Sequence, residues 1–210
     1  MGLIGKISKN IAGRKDSRNE EKQLFNKVFP LIDKVEGFLK TPKQEFWFFT
    51  TALHAPNNAV IVEIGSFKGR STVSFGFGCV GSGKHIYAID LFEGDGANYG
   101  KGDFQEMFQS NVDRCGLTQY ITAIKKHSID ASGQWEKPID ILFIDGSHEY
   151  EDVKADFKAF YPHVKKGGII AFHDIKGMWD GVIRFWEEVQ KAGYLQDIGQ
   201  VSSLGYGTKK

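Results

Sequence analysis

Residues 60–72 read V-I-V-E-I-G-S-F-K-G-R-S-T, and this stretch limits the fold more than any other. Its β-branched apolar run fits a buried strand. Gly65 and Gly69 mark a turn, and Ser71-Thr72 stands where a helix should begin. A strand, a glycine turn and a helix in succession form a unit that holds a polar small molecule at a strand's carboxyl end. A second apolar run, H-I-Y-A-I-D, ends in Asp90. An acid about twenty residues beyond the glycine turn can accept both hydroxyls of a ribose. The two runs together imply a ligand that contains a nucleoside.

The chain beyond this unit alternates between the two periodicities. Strands are expected near 60–64, 85–89, 121–124, 139–144 and 168–173, and helices near 71–80, 104–115, 150–161 and 181–192. Such alternation implies an α/β fold with a mostly parallel sheet and helices on both faces. Gly116 and Gly193 fit left-handed helix caps. The tail from Tyr194 to Gly207 supplies two last strands. Before this domain, residues 1–57 read as an N-terminal helical extension, with residues 58–210 as the ligand-binding domain. Residues 1–27 carry seven basic and three acidic side chains, with Leu3, Ile4, Ile7 and Ile11 at helical spacing. Helices are expected over Leu24–Leu39, interrupted near Pro30, and over Lys43–Leu53. The aromatic run Phe46-Trp47-Phe48-Phe49 suits core packing better than a pocket lining. The glycine-rich stretch 92–102 leaves the ligand-binding edge and reads equally as a lid or as a plain surface loop.

Which nucleoside ligand fits follows from the turn. A dinucleotide fingerprint, G-x-G-x-x-G, needs closely spaced glycines so that the backbone can approach a pyrophosphate. Here Phe67 occupies the second glycine slot, and Glu63 just before the turn repels phosphate while attracting an ammonium. S-adenosylmethionine has a ribose, an ammonium and a carboxylate but no phosphate, and it fits these residues better than NAD.

Five ordered segments carry a specific resemblance. V-E-I-G-S-F-K-G-R-S-T resembles the first motif of class I S-adenosylmethionine-dependent methyltransferases, and Y-A-I-D90 the second. His127-Ser128 resembles the segment beside the adenine, I-D-I-L-F-I-D145-G-S-H148-E-Y the fourth motif, and G-G-I-I-A-F-H-D174 the strand after it. The D-G-S-H-E-Y and F-H-D pair is similar to bacterial small-molecule and sugar O-methyltransferases of the macrocin O-methyltransferase type, methyltransferase family 24. The resemblance implies a Rossmann-like, seven-stranded sheet with an antiparallel last strand. It implies transfer of a methyl group from S-adenosylmethionine to a hydroxyl oxygen of a small molecule or sugar.

The residues then take expected roles. Glu63 lies under the methionine ammonium, and Gly65 lets the backbone pass close to the methionine moiety. Ser66 and Ser71 donate to its carboxylate, helped by helix N-terminal amides. Asp90 takes the ribose with Leu91 beside it, and by resemblance Ser128 reaches the adenine edge. Asp145, also counted with the cofactor residues, and Asp174 end strands that should be sheet neighbours. Adjacent carboxylates repel unless a cation or proton sits between them, and Mg²⁺ suits such hard oxygens. Catechol-type relatives, by resemblance, use two Asp and an Asn, but Ile175 stands where the Asn would be. His173, His148 or an acid from another loop would complete the shell. His148 also stands in the slot where those relatives have a lysine general base, and histidine can do that task near neutral pH. His173 is expected to hold the acceptor or orient Asp174.

Composition narrows the alternatives. A formal net charge of +1 and the lack of a basic, aromatic-interleaved stripe argue against a nucleic-acid substrate. No apolar run is long enough to span a membrane, and two cysteines with no metal spacing suit a reducing, cytoplasmic setting. The apolar N-terminal segment could also pack against a second subunit. A non-catalytic S-adenosylmethionine-binding module and a NAD-binding oxidoreductase are the rival readings.

Overall fold

A computed structural model describes residues 18–39, 41–93 and 103–210. The basic segment 1–17 and most of the candidate lid, residues 94–102, lie outside the described residues. The chain forms two compact units that interleave along the sequence. The first holds Met1–Asn58, Phe67–Ile86 and Phe92–Thr122, and the second Ala59–Ser66, Tyr87–Leu91 and Ala123–Lys210.

In the first unit, α1 (Arg18–Ile32), α2 (Pro42–His54), α3 (Arg70–Cys79) and α4 (Phe104–Arg114) are the helices. Helix α1 runs through Pro30 instead of breaking there. Pro30 lies in the last turn, so its missing N–H removes little of the helix, and Asp33 N–H still reaches Phe29 O at 2.8 Å. The aromatic run of α2 is core, as expected: Phe48 and Phe49 are fully buried. Phe48 packs on Phe75 with centroids 4.7 Å apart, and Phe25 meets Phe46 edge-on at 5.2 Å. Phe67 takes a positive φ of 47° and packs against Phe38 and Phe104. Cys79 and Cys115 are free and buried.

A buried charge ties this unit together. Glu45, wholly inaccessible on α2, accepts from Arg70 Nε at 2.9 Å and pairs with Nη2 at 2.8 Å. The same guanidinium donates to Asp33 Oδ1 at 3.1 Å and Val35 O at 2.8 Å. One planar fork thereby joins α2, α3 and the segment after α1.

The second unit carries most of the sheet. The strands are β1 (Val60–Ile64), β2 (His85–Asp90), β3 (Ile121–Lys125), β4 (Ile139–Ile144), β5 (Val164–Phe172), β6 (Leu195–Val201) and β7 (Leu204–Lys209). Their order is β3-β2-β1-β4-β5-β7-β6. β1 pairs parallel with β4, and β4 with β5. β7 runs antiparallel to β5 and to β6. This is the seven-stranded sheet with an antiparallel last strand that the resemblance implied. Strand β5 starts at Val164, four residues earlier than the apolar pattern suggests, because Lys165, Lys166 and Gly167 extend an exposed strand start. Helices α5 (Ser128–Ser132), α6 (Tyr150–Phe160) and α7 (Asp180–Lys191) complete the unit. Val153, Phe157, Phe185, Trp186 and Val189 of α6 and α7 pack with Leu142, Ile144, Ile170 and Phe172 in one apolar core. No helix among the described residues is long and apolar enough to cross a membrane.

Removing Arg70 leaves the buried Glu45 carboxylate without its cation. Arg70→Met is expected to cost about 3 kcal/mol or more in urea denaturation. The double variant Arg70→Met, Glu45→Leu should recover most of that loss; equal stability of the two variants would show that the ion pair does not hold this unit.

Candidate active site

Four backbone hydrogen bonds carry the parallel ladder one step past the strand ends of the second unit. Gly65 N–H reaches Ile89 O at 2.9 Å, Asp145 N–H reaches Ile64 O at 2.8 Å, and His173 N–H reaches Ile144 O at 3.1 Å. Lys126 N–H reaches Asp90 O at 3.2 Å. The residues following β1, β3, β4 and β5, with the last residue of β2, are therefore held along one sheet edge, where open α/β sheets bind ligands.

The structure gathers most of the expected side chains at this edge. Glu63 is fully buried on β1. Gly65, at φ 84°, has a tighter requirement than passage beside a ligand: an added Cβ would stand 2.1 Å from Asp145 O and 2.6 Å from Gly146 Cα. Only glycine lets the loops after β1 and β4 touch. Ser66 is 2% exposed, and its hydroxyl has no hydrogen-bond partner among the described residues. A buried polar group left unsatisfied is costly, so this hydroxyl suits a polar ligand. Asp90 and Leu91 close β2, both partly buried. Ser71 belongs to the first unit, buried in the first turn of α3. Ser128 opens α5 and donates its hydroxyl hydrogen to Asp156 Oδ1.

Four titratable groups cluster at the ends of β4 and β5. His173 Nδ1 lies 3.2 Å from Asp145 Oδ1 and 3.3 Å from Asp174 Oδ2. His148 Nε2 lies 3.3 Å from the same Asp174 oxygen. Burial by itself would favour a neutral His173 ring, but the Asp145 and Asp174 carboxylates outweigh it and push the pKa up to about 10. His173 is thus an imidazolium at neutral pH, only 3% exposed, with Nε2 facing Ser203 Oγ at 3.4 Å. Its burial favours the second expected role, orienting Asp174, over contact with an acceptor. Asp174 takes φ 54°, a left-handed conformation that aspartate tolerates better than most residues. His148 is more open, and its ring stacks on Trp179 at 4.0 Å and 16°. Gly181 makes room for His148: a Cβ there would stand 2.3 Å from its carbonyl oxygen.

Asp145, His148 and Asp174 each bring one donor atom to a group whose atoms lie within 4.8 Å of one another. Two carboxylates and an imidazole suit a divalent cation, so the residues fit the metal that the resemblance implied, with His148 in the third place. Trp179, Ser203 and Asp156 had no sequence signal of their own. Trp179 stands in an exposed loop, Ser203 in the β6–β7 turn, and Asp156 within an amphipathic helix that explains its presence without a partner.

Residues 62–175, more than half of the chain, match a family described as methyltransferase domain, and the chain belongs to that family. Among curated proteins, the uncharacterized protein y4gI of Sinorhizobium fredii is 27% identical over 144 residues, 65% of this chain. The chain spans about 16% of the length of the curated relatives it matches. Among solved structures, the O-methyltransferase of Bacillus cereus, in complex with SAH, superposes with a TM-score of 0.64 at 17% identity. It covers 99% of this chain and 97% of that one. The O-methyltransferase TomG of Streptomyces achromogenes, involved in tomaymycin synthesis and bound to SAM, gives 0.62 at 14% identity, covering 95% and 93%. These likenesses establish the Rossmann-like methyltransferase fold.

His173 has its pKa raised above the unfolded value, so the stability it contributes is full below about pH 6.5 and fades as pH rises through about 10. His173→Gln should therefore destabilise the protein by at least about 1 kcal/mol more at pH 6 than at pH 10.5. Urea denaturation at both pH values checks this; a pH-independent loss would mean the ring is neutral in the fold.

Proposed function

We propose that the protein moves the methyl group of S-adenosylmethionine to a hydroxyl oxygen of a small molecule or sugar. The observation that carries the reading is the His148–Asp174 pair at the edge of a methyltransferase sheet. His148 Nε2 lies 3.3 Å from Asp174 Oδ2, and a proton on Nε2 facing that carboxylate would leave Nδ1 as the basic nitrogen. Nδ1 has no hydrogen-bond partner among the described residues. This is the logic by which a carboxylate orients a histidine base.

The methionine ammonium suits the buried Glu63, its carboxylate suits the orphan Ser66 hydroxyl, and the ribose suits Asp90. S-adenosylmethionine supplies an electrophilic methyl on a positively charged sulfur. The acceptor oxygen bonds to the methyl carbon as the carbon–sulfur bond breaks, and the hydroxyl proton passes to His148 Nδ1. Most of the acceleration comes from holding oxygen, carbon and sulfur in line. The His173 imidazolium offsets one of the two negative charges of Asp145 and Asp174, which leaves the cluster with a net charge near −1 that suits a protonated His148 after proton transfer.

A second reading is favoured by the three donor atoms of Asp145, His148 and Asp174. A Mg²⁺ or similar ion held by them would lower the pKa of a bound acceptor hydroxyl. His148 would then be a ligand and not the base. The buried free thiols, Cys79 with its pKa pushed by burial up to about 12, fit a reducing cytoplasmic setting.

Calorimetric titration with S-adenosylhomocysteine should give micromolar binding that Asp90→Ala weakens at least ~100-fold. His148→Ala should keep that affinity within about threefold while lowering turnover by ~10²-fold or more. Full turnover in His148→Ala across pH would refute the base, and loss of turnover on EDTA dialysis, restored by Mg²⁺, would support the metal reading. Binding of NAD in place of S-adenosylhomocysteine would overturn the methyl-donor assignment.

A further inference from the structure

Asp156 is a buried acid that the chemistry above does not use. It lies on α6, 6% exposed, and accepts the Ser128 hydroxyl hydrogen at Oδ1. Its Oδ2 lies under the loop after β4, where a Cβ on Gly146 would stand 3.4 Å away. Burial raises its pKa to about 6; the Ser128 hydrogen bond and nearby His127 oppose that rise, while Asp152 adds to it. Asp152 is itself engaged by the Ser147 hydroxyl at 2.7 Å. Above that pKa Asp156 is a carboxylate, which only accepts.

Ser128 is half-buried and lies two residues beyond Lys126, whose amide holds the backbone of Asp90. If Asp90 takes the ribose, the base attached to that ribose falls against the 126–128 segment. A serine hydroxyl has one hydrogen and two lone pairs. Here the hydrogen is committed to Asp156, so only lone pairs remain for a ligand.

We infer that Asp156 is a specificity-determining residue for the nucleobase: by fixing the Ser128 hydroxyl as a hydrogen-bond acceptor, it selects adenine, which presents an amino group, over hypoxanthine, which presents a carbonyl oxygen. Asp156 acts through Ser128 and is a positioning residue. The inference rests on the S-adenosylmethionine reading. A site built around a committed acceptor rejects a second acceptor because neither lone pair finds a hydrogen.

The test compares S-adenosylhomocysteine with S-inosylhomocysteine by calorimetry at pH 8, where Asp156 is ionised. The wild-type protein is expected to bind the inosyl compound at least about tenfold more weakly. Asp156→Leu frees the hydroxyl to rotate, and Ser128→Ala removes it; in each the ratio should fall to about threefold or less. Adding Asp156→Leu to Ser128→Ala should change the ratio no further, which a merely structural role for Asp156 would not produce. Ser128 is partly exposed, so its variant tests the inference even if Asp156→Leu fails to fold. Equal wild-type affinity for the two compounds, or an undiminished ratio in Ser128→Ala, would overturn the inference alone. Failure of the wild-type protein to bind either would overturn the methyl-donor reading on which it stands.

Discussion

Two carboxylates at the ends of adjacent parallel strands repel, and the chemistry of this edge follows from how that repulsion is met. β4 and β5 are in register through Ile144 and Phe172, so Asp145 and Asp174 cannot move apart without breaking the sheet. The protein sets the His173 imidazolium against both. That cation is itself buried, which is tolerable only because it is paired. The Asp174 oxygen that faces His173 also faces His148, so the two rings share one carboxylate oxygen. Sheet register, His173 burial and His148 orientation are thus one arrangement.

The same rule governs the first unit. Glu45 has no access to water and exists as a structural element only through Arg70. Arg70 lies at the start of α3, immediately after the glycine turn that the sequence marked as functional. In both units a buried charge is held by a planar cation with several donors, which fixes geometry as well as charge. The difference is that Arg70 cannot give up its proton, whereas a histidine can.

Much of the fold was legible because the relevant patterns are local. The apolar run at 139–144, followed by an acid, is a strand in the structure with the expected bounds. Glycines 116 and 193 do take positive φ just after helices. What was not legible depends on contacts distant in sequence. Ser128 stood out by resemblance, but its partner did not: Asp156, twenty-eight residues on, takes its hydrogen. Gly65 also has to clear the backbone of Asp145, a requirement that no local pattern shows. Pro30 was read as a break because proline costs most in a helix interior, and its place in the last turn could not be seen from local spacing.

Of the two histidines at the edge, only one is suited to proton transfer. A general base must be unprotonated at working pH and must reach its substrate. His173 meets neither condition: its pKa near 10 keeps the proton, and Nδ1 and Nε2 both face protein groups. His148 shares the Asp174 oxygen but keeps Nδ1 uncommitted, and its ring is held flat against Trp179 and not enclosed. On the proposed reading the buried histidine supplies charge and the open one exchanges a proton. A divalent cation on Asp145, His148 and Asp174 would have to compete with the charge that His173 already provides to both acids. The two readings therefore differ in what meets the Asp145 and Asp174 charges, the His173 imidazolium alone or a cation beside it.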